Sequence, residues 1–216
     1  MPFIKSGYEI LTPIDGLIEL KTIERAARVC YKSEAAITED GESAKKLIRR
    51  LIENGHEAML EHSFLSVKFT VDRGITHELV RHRLCSFAQE STRYCDYFAE
   101  KFGKSVKFVI PYFFAQGDRQ KELAIWMKAC NEAEKAYFAL LDKGATPQEA
   151  RTVLPNSTAA EIVVSANYRE WRHILKLRTA QAAHPQMREV MQPLSAELKR
   201  RIPVIFDDIV KAWRSE

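Results

Sequence analysis

The chain has 216 residues, 46% of them hydrophobic and 29% charged, with 33 basic against 29 acidic side chains and a net charge of +4. Such a chain can bury a core as one domain over residues 1–216, is too apolar to be disordered except at its last few residues, and is no polycation. Its longest apolar runs, such as Ile162-Val163-Val164, fall far short of the roughly 20 residues of a membrane helix, and Met1-Pro2-Phe3-Ile4-Lys5 lacks the apolar stretch of a signal peptide, so a soluble, cytoplasmic protein is expected.

Residues 7–14 alternate well enough for a strand, and Leu20–Tyr31 has helical spacing. Glu42–Asn54 is a clearer amphipathic helix, with Leu47, Ile48 and Leu51 inward and Gly55 as its stop. Phe64–Val71 is apolar and β-branched enough for a strand, and a helix from about Ile75 to Leu84 follows Gly74. Val106–Ile110 predicts a short strand ended by Pro111. Gln120–Lys143 predicts a long helix stopped by Gly144, and Pro147–Val153 a short one. Ala159–Ala166 reads as a strand, then Tyr168–Thr179, His184–Arg201 and Ile205–Arg214 as helices. No repeat, linker or regular βαβ alternation is present. The expected class is α+β, helix-rich, with a central, mostly antiparallel sheet and flanking helices.

Several common signatures fail. Gly103-Lys104-Ser105 resembles the end of a phosphate-binding loop, but Phe98 stands where its first glycine belongs. No GxG occurs, which excludes the Rossmann turn. His77 and His82 are one residue too far apart for HExxH and would point about 140° apart on a helix, so no zinc site is expected there. Cys30, Cys85, Cys95 and Cys130 are widely spaced without a CxxC pair and read as reduced thiols.

Arginines crowd into two stretches. In the first, Arg81, His82 and Arg83 are expected at a helix end, where cations suit the macrodipole. A polar loop then leads to Arg93. This could be a solvated basic turn. Alternatively, cations interleaved with Val80, Leu84 and Phe87, which favour burial, need anions to offset desolvation, and Glu78 and Glu90 are too few to serve them all. In the second stretch, Trp171, Ile174 and Leu175 form an apolar face, and Arg178 falls on it as a permanent cation. A buried ion pair and an anion site both account for that. Arg169, Arg172, His173 and Lys176 share another face, readable as solvated.

The pattern Arg81-His82-Arg83, seven residues, Ser91, one residue, Arg93 resembles the signature of flavin-dependent thymidylate synthases. Further blocks agree in order: Arg25 to Tyr31, Gly55-His56-Glu57 with Glu61-His62, Ala150-Arg151 with Val153-Leu154-Pro155, and Asn167-Tyr168-Arg169 through Leu177-Arg178. Coverage runs from about residue 25 to 190 and implies a thymidylate synthase-complementing-like fold. In this family FAD is reduced by NADPH, takes a methylene from 5,10-methylenetetrahydrofolate, and delivers it with a hydride to C5 of dUMP, leaving tetrahydrofolate. No cysteine nucleophile is needed, and the cofactor carries most of the chemistry.

By position, the resemblance implies that Glu78, Leu79 and Val80 line the dUMP pocket, that Gln89, Glu90, Ser91, Thr92 and Arg93 wrap its phosphate and sugar, and that Arg81 and Arg151 also reach it. Arg81, His82, Arg83, Gln89, Asn167, Tyr168, Arg169 and His173 match FAD contacts, with His56 and Ala58 approaching the flavin from a neighbouring subunit. Arg178 matches the residue that activates dUMP. Two departures stand out: Gln89 replaces an acidic residue found in some members, and His173 an asparagine. A homotetramer with active sites at subunit interfaces is implied, with no metal, nucleic acid or membrane partner. Rival readings are a nucleic-acid binder stacking bases on Tyr94, Tyr97, Tyr168 and Trp171, a flavin-free phosphate-ester enzyme, and a flavin- or folate-binding module without synthase activity.

Overall fold

A computed structural model describes residues 3–94, 97 and 105–209. Its elements run β1 (Phe3–Ile4), β2 (Gly7–Ile10), α1 (Gly16–Val29), α2 (Glu42–Glu53), β3 (Phe64–Asp72), α3 (Arg73–Leu79), β4 (Ser86–Gln89), β5 (Phe108–Val109), α4 (Tyr112–Ala115), α5 (Gln120–Asp142), α6 (Pro147–Ala150), β6 (Ala159–Asn167), α7 (Tyr168–Arg178) and α8 (Pro185–Arg201). Short 3-10 turns cover Glu34–Ala36, Glu57–His62 and Arg151–Val153. A four-stranded antiparallel sheet has the order β2-β3-β6-β4, and β1 pairs in parallel with β5, Phe3 opposite Phe108. The α+β class expected from the sequence is the class observed. Among the described residues, no helix is long and apolar enough to cross a membrane.

Two of these strands follow directly from period-two patterning. In β3, Leu65, Val67, Phe69 and Val71 are fully buried while Ser66, Lys68 and Thr70 are only half-buried; β6 alternates in the same way around Ile162, Val164 and Ala166. The chain divides into two compact units. One holds Met1–Tyr8, Lys68–Arg81 and Phe87–Val163, and the other Glu9–Val67, His82–Ser86 and Val164–Glu216.

In the first unit, Tyr97, Val106, Phe108, Cys130, Tyr137 and Ala150 form a core, against which Phe3 and Trp126 pack. The Trp126 indole N–H is satisfied by Ser157 Oγ at 3.0 Å. In the second, α7 buries Trp171, Ile174 and Leu175, and α8 buries Met187, Val190, Met191 and Leu194. The Trp171 indole N–H donates to the Leu65 carbonyl at 2.9 Å. Gly16 opens α1 where a Cβ would collide with the Arg201 carbonyl, and Gly55, at φ 71°, ends α2 as expected.

Several boundaries differ from expectation for identifiable reasons. The strand predicted over 7–14 stops at Ile10, because Thr12 turns its hydroxyl to accept the Ser66 N–H and Pro13 has no N–H to donate. Helix α1 starts ahead of Leu20 because Asp15 caps the Leu17 and Ile18 amides. Helix α3 ends at Leu79 rather than Leu84, so the Arg-His-Arg run lies in the turn just beyond the helix and not within its last turn. Val80 and Leu84, expected inside, are 39% and 79% exposed; Phe87 is half-buried. Residues 205–209 form turns rather than the start of a helix, and 210–214 lie outside the described residues. Strands β1 and β4, helix α4 and the 3-10 turns at Glu34–Ala36 and Glu57–His62 were not anticipated.

Candidate active site

Asn167 sets the geometry of α7 by capping it, its Oδ1 accepting the Glu170 N–H at 2.9 Å. With Trp171, Ile174 and Leu175 fixed inward, the row Glu170, Ile174, Arg178 runs along the flank of the buried face at i, i+4, i+8. His82, in the turn after α3, lies against this row and is only 5% exposed. Arg178 Nε donates to His82 Nε2 at 2.9 Å, and His82 Nδ1 faces Glu170 Oε1 at 3.6 Å. His173 adds an edge-to-face ring contact with His82, centroids 5.8 Å apart. Arg178 is therefore half-buried and bonded to an imidazole, a partner not foreseen among the alternatives for it.

Beside this row lies a cavity of about 590 Å³, within the range that holds organic ligands. Asn167, Arg169, Glu170, His173 and Lys176 line it from α7, Glu57 and Glu61 from the 3-10 turn, and the exposed Leu84 from the Arg-His-Arg turn. Its charges are largely compensated. Arg169 meets Glu61 at 2.6 Å, and Lys176 lies 3.8 Å from Glu57. Such a wall suits a planar, hydrogen-bonding heterocycle better than a polyphosphate.

Arg172, expected on a solvated face, is instead 1% exposed. Its guanidinium bonds Glu57 Oε1 at 3.0 Å, Asp208 at 2.6 and 2.8 Å, and the Ile205 carbonyl. Tyr168 is also fully buried, its ring packed edge-on against Phe206, so it can offer a ligand only its backbone. His56 and Ala58 are exposed on the second unit, at the start of the 3-10 turn.

The remaining predicted contacts, Arg83 apart, belong to the first unit. Arg81 and Arg93 are exposed, the latter with its guanidinium over the Tyr94 ring at 5.3 Å. Gln89 Nε2 donates to Thr76 Oγ1 at 3.0 Å, and Arg151 Nη1 to the buried Thr92 hydroxyl at 3.0 Å. Ser91 Oγ accepts the Arg93 N–H at 3.3 Å. Glu90 is occupied internally: Oε1 accepts the Tyr97 hydroxyl and Oε2 the Glu161 N–H, which gives it a loop-holding role. Leu79 is 1% exposed, so its side chain belongs to the core, while Glu78 and Val80 remain at least partly accessible. Arg83 is exposed on the second unit.

Residues 17–204 match the family model for the thymidylate synthase complementing protein. Flavin-dependent thymidylate synthases from Corynebacterium aurimucosum and Corynebacterium glutamicum are both 33% identical, over 86% and 91% of this chain and 78% and 81% of theirs. The chain belongs to this family. Among solved structures, the UMP/dUMP methylase PolB from Streptomyces cacaoi, bound with 5-Br dUMP, superposes at a TM-score of 0.78 with 26% identity, covering 96% of each chain.

Within the thymidylate synthase complementing family, the thiols and the histidine cluster need a physical account. Burial pushes the Cys85 thiol up to about 12, with Glu170 adding to it, and the Cys130 thiol up to about 11, so neither supplies a thiolate near neutrality. His82, Glu170 and His173 could each present a ligand atom within 4.8 Å of the others, a metal-like grouping. Arginine only donates, however, so His82 Nε2 must be the acceptor and the ring proton sits on Nδ1. That leaves neutral His82 no lone pair for a metal ion. Glu170 was missed in the sequence because a carboxylate one position before the buried Trp171 reads as an ordinary first-turn residue; only its 7% exposure sets it apart.

Burial, with Arg178 and His173 nearby, holds the His82 imidazole down at about 4. A depressed histidine is neutral in the folded protein while its unfolded counterpart protonates near 6.5, so this group's contribution to stability is present above 6.5 and lost as pH falls towards 4. We predict that one histidine will keep a constant neutral imidazole signature by NMR from pH 8 to pH 5. Titration of His82 near 6.5 would contradict the arrangement.

Proposed function

We propose that the protein is a flavin-dependent thymidylate synthase acting on dUMP to give dTMP, with FAD as cofactor and NADPH and 5,10-methylenetetrahydrofolate as co-substrates. The observation that carries the reading is Arg178, a guanidinium held by a neutral, buried histidine of the Arg-His-Arg motif that also touches His173 and faces Glu170, two residues lining a ligand-sized cavity. A guanidinium at the uracil N3/O2 edge favours the N3-deprotonated, electron-rich ring and so a more nucleophilic C5. Arginine stays protonated and cannot be the base, so its contribution is electrostatic.

In this reading dUMP is contacted by Glu78, Val80, Arg81, Gln89, Ser91, Thr92, Arg93, Arg151 and Arg178, with Leu79 contributing backbone and Glu90 shaping the loop. FAD is contacted by Arg81, His82, Arg83, Gln89, Asn167, Arg169, His173 and the Tyr168 backbone, and by His56 and Ala58 of a neighbouring subunit. The cavity supports this: Asn167 commits its carbonyl to the helix cap and turns donors to the ligand, while the compensated charges of Arg169 and Lys176 accommodate a flavin ring. Reduced flavin, when bound, supplies the hydride and carries the one-carbon transfer. The chain's own residues place the ligands, exclude water and polarise the pyrimidine. We further propose one catalytic domain over residues 1–216, a homotetramer with active sites at subunit interfaces, a cytoplasmic location, and no nucleic-acid or membrane partner.

The test is a flavin absorbance spectrum of the purified protein with and without dUMP or UMP, followed by tritium release from C5-labelled nucleotide. Bound FAD perturbed by dUMP, with tritium release that requires methylenetetrahydrofolate, is expected. A protein that neither takes up FAD nor releases tritium from dUMP overturns the assignment. Release from UMP at an equal rate would broaden the substrate to both nucleotides.

A further inference from the structure

Arg178, His82 and Glu170 are linked in series, and Glu170, a cavity-lining carboxyl, has so far been given no chemical role. Arg178 Nε–H donates to His82 Nε2 at 2.9 Å, and the opposite ring nitrogen faces Glu170 Oε1 at 3.6 Å. His82 and Glu170 are 5% and 7% exposed. The geometry has two consequences. A guanidinium is a rigid plane, so anchoring its Nε–H fixes how its remaining donors fan out from the α7 flank. The anchor works only while Nε2 keeps its lone pair, which requires the ring proton on Nδ1. Glu170 lies on the Nδ1 side, where a carboxyl oxygen favours an N–H over a lone pair; at 3.6 Å it acts as a facing acceptor and not as a closed hydrogen bond.

We propose that Glu170 and His82 are positioning residues for Arg178, Glu170 selecting the Nδ1–H tautomer of His82 and His82 thereby orienting the guanidinium toward the pyrimidine. The role deepens the reading of Arg178 as the group that polarises the nucleotide and rests on it. It is a second function for His82, beside any flavin contact. Burial raises the Glu170 carboxyl, opposed by His173, which makes the link sensitive to acid. Protonating His82 would turn Nε2 into a donor aimed at another donor and break the anchor.

Glu170→Leu should lower kcat for dUMP-dependent tritium release, measured at saturating FAD, by about 10–100-fold, with a much smaller change in the KM for dUMP. Glu170→Gln, which keeps an oxygen toward Nδ1, should recover most of that loss. In an Arg178→Lys background, Glu170→Leu should cost no more than about twofold further, because the group it positions is already gone. A purely structural role would instead give additive losses in the double variant and no rescue by glutamine, and that result overturns the proposal. Imidazole 15N shifts of the unliganded protein provide an arm independent of turnover. His82 as the Nδ1–H tautomer in the native protein, redistributed in Glu170→Leu, supports the link even if the chain does not methylate dUMP; an Nε2–H tautomer in the native protein overturns it whatever the activity.

Discussion

Replacing Arg178 with alanine or lysine is expected to lower dUMP methylation by about 10²–10³-fold, the range seen when one preorganised donor to developing charge is removed. Lysine should rescue little: it keeps the charge but loses the planar fork and the Nε–H that docks on His82. The fold should survive. Arg178 is half-buried at the end of α7, and leaving the buried acceptor His82 Nε2 unsatisfied costs about 1–3 kcal/mol. A domain of this size commonly has about 5–15 kcal/mol in hand. Tritium release from C5-labelled dUMP reads the first expectation, and the thermal midpoint with flavin retention reads the second. Native activity in the alanine variant would remove Arg178 from the mechanism.

How far the site could be read from the sequence depended on whether a residue's partner was near in the chain. Strands β3 and β6 and the apolar face of α7 were legible because alternation and i, i+3, i+4 spacing are local properties that burial only ratifies. The resemblance carried by Arg81 to Arg93 located the motif, but not its conformation. Val80 and Leu84 look like the inward positions of a continuing helix, yet the chain turns out after Leu79 and it is His82, a polar residue, that goes inward. Nothing within ten residues of His82 explains that. Its partners Glu170 and Arg178 lie about half a chain away. Arg172 was misread for the same reason: its wheel position matches the exposed Arg169, Lys176 and His173, but Asp208 and Glu57 arrive from other segments and draw it under. Tertiary partners, rather than helical phase, decided which cation was buried.

Removing the Arg172 cation is accordingly expected to cost substantial stability. Arg172→Met preserves much of the side-chain volume but deletes the cation at the centre of Glu57, Asp208 and the Ile205 carbonyl. Breaking one side of a buried pair costs about 3–5 kcal/mol. Glu57 and Asp208 keep 21% and 46% of their side-chain surface and can partly rehydrate, so about 2–4 kcal/mol is expected at neutral pH. The pH dependence carries a definite sign. Burial alone would raise the Asp208 carboxyl, but the Arg172 hydrogen bond and charge, with Lys176, hold it below its ordinary 3.8. A depressed carboxylate stabilises the fold above its unfolded value, and that contribution disappears as pH falls through the folded one. The gap between native and variant midpoints in urea should therefore be full above about pH 4 and narrow as the solution is acidified further. A gap that stays constant into strong acid would mean that Arg172 acts by packing alone. Because Glu57 opens the 3-10 turn that carries Ala58 and follows His56, amide exchange in residues 57–62 should also accelerate in the variant, linking this buried cation to the mobility of the cavity wall.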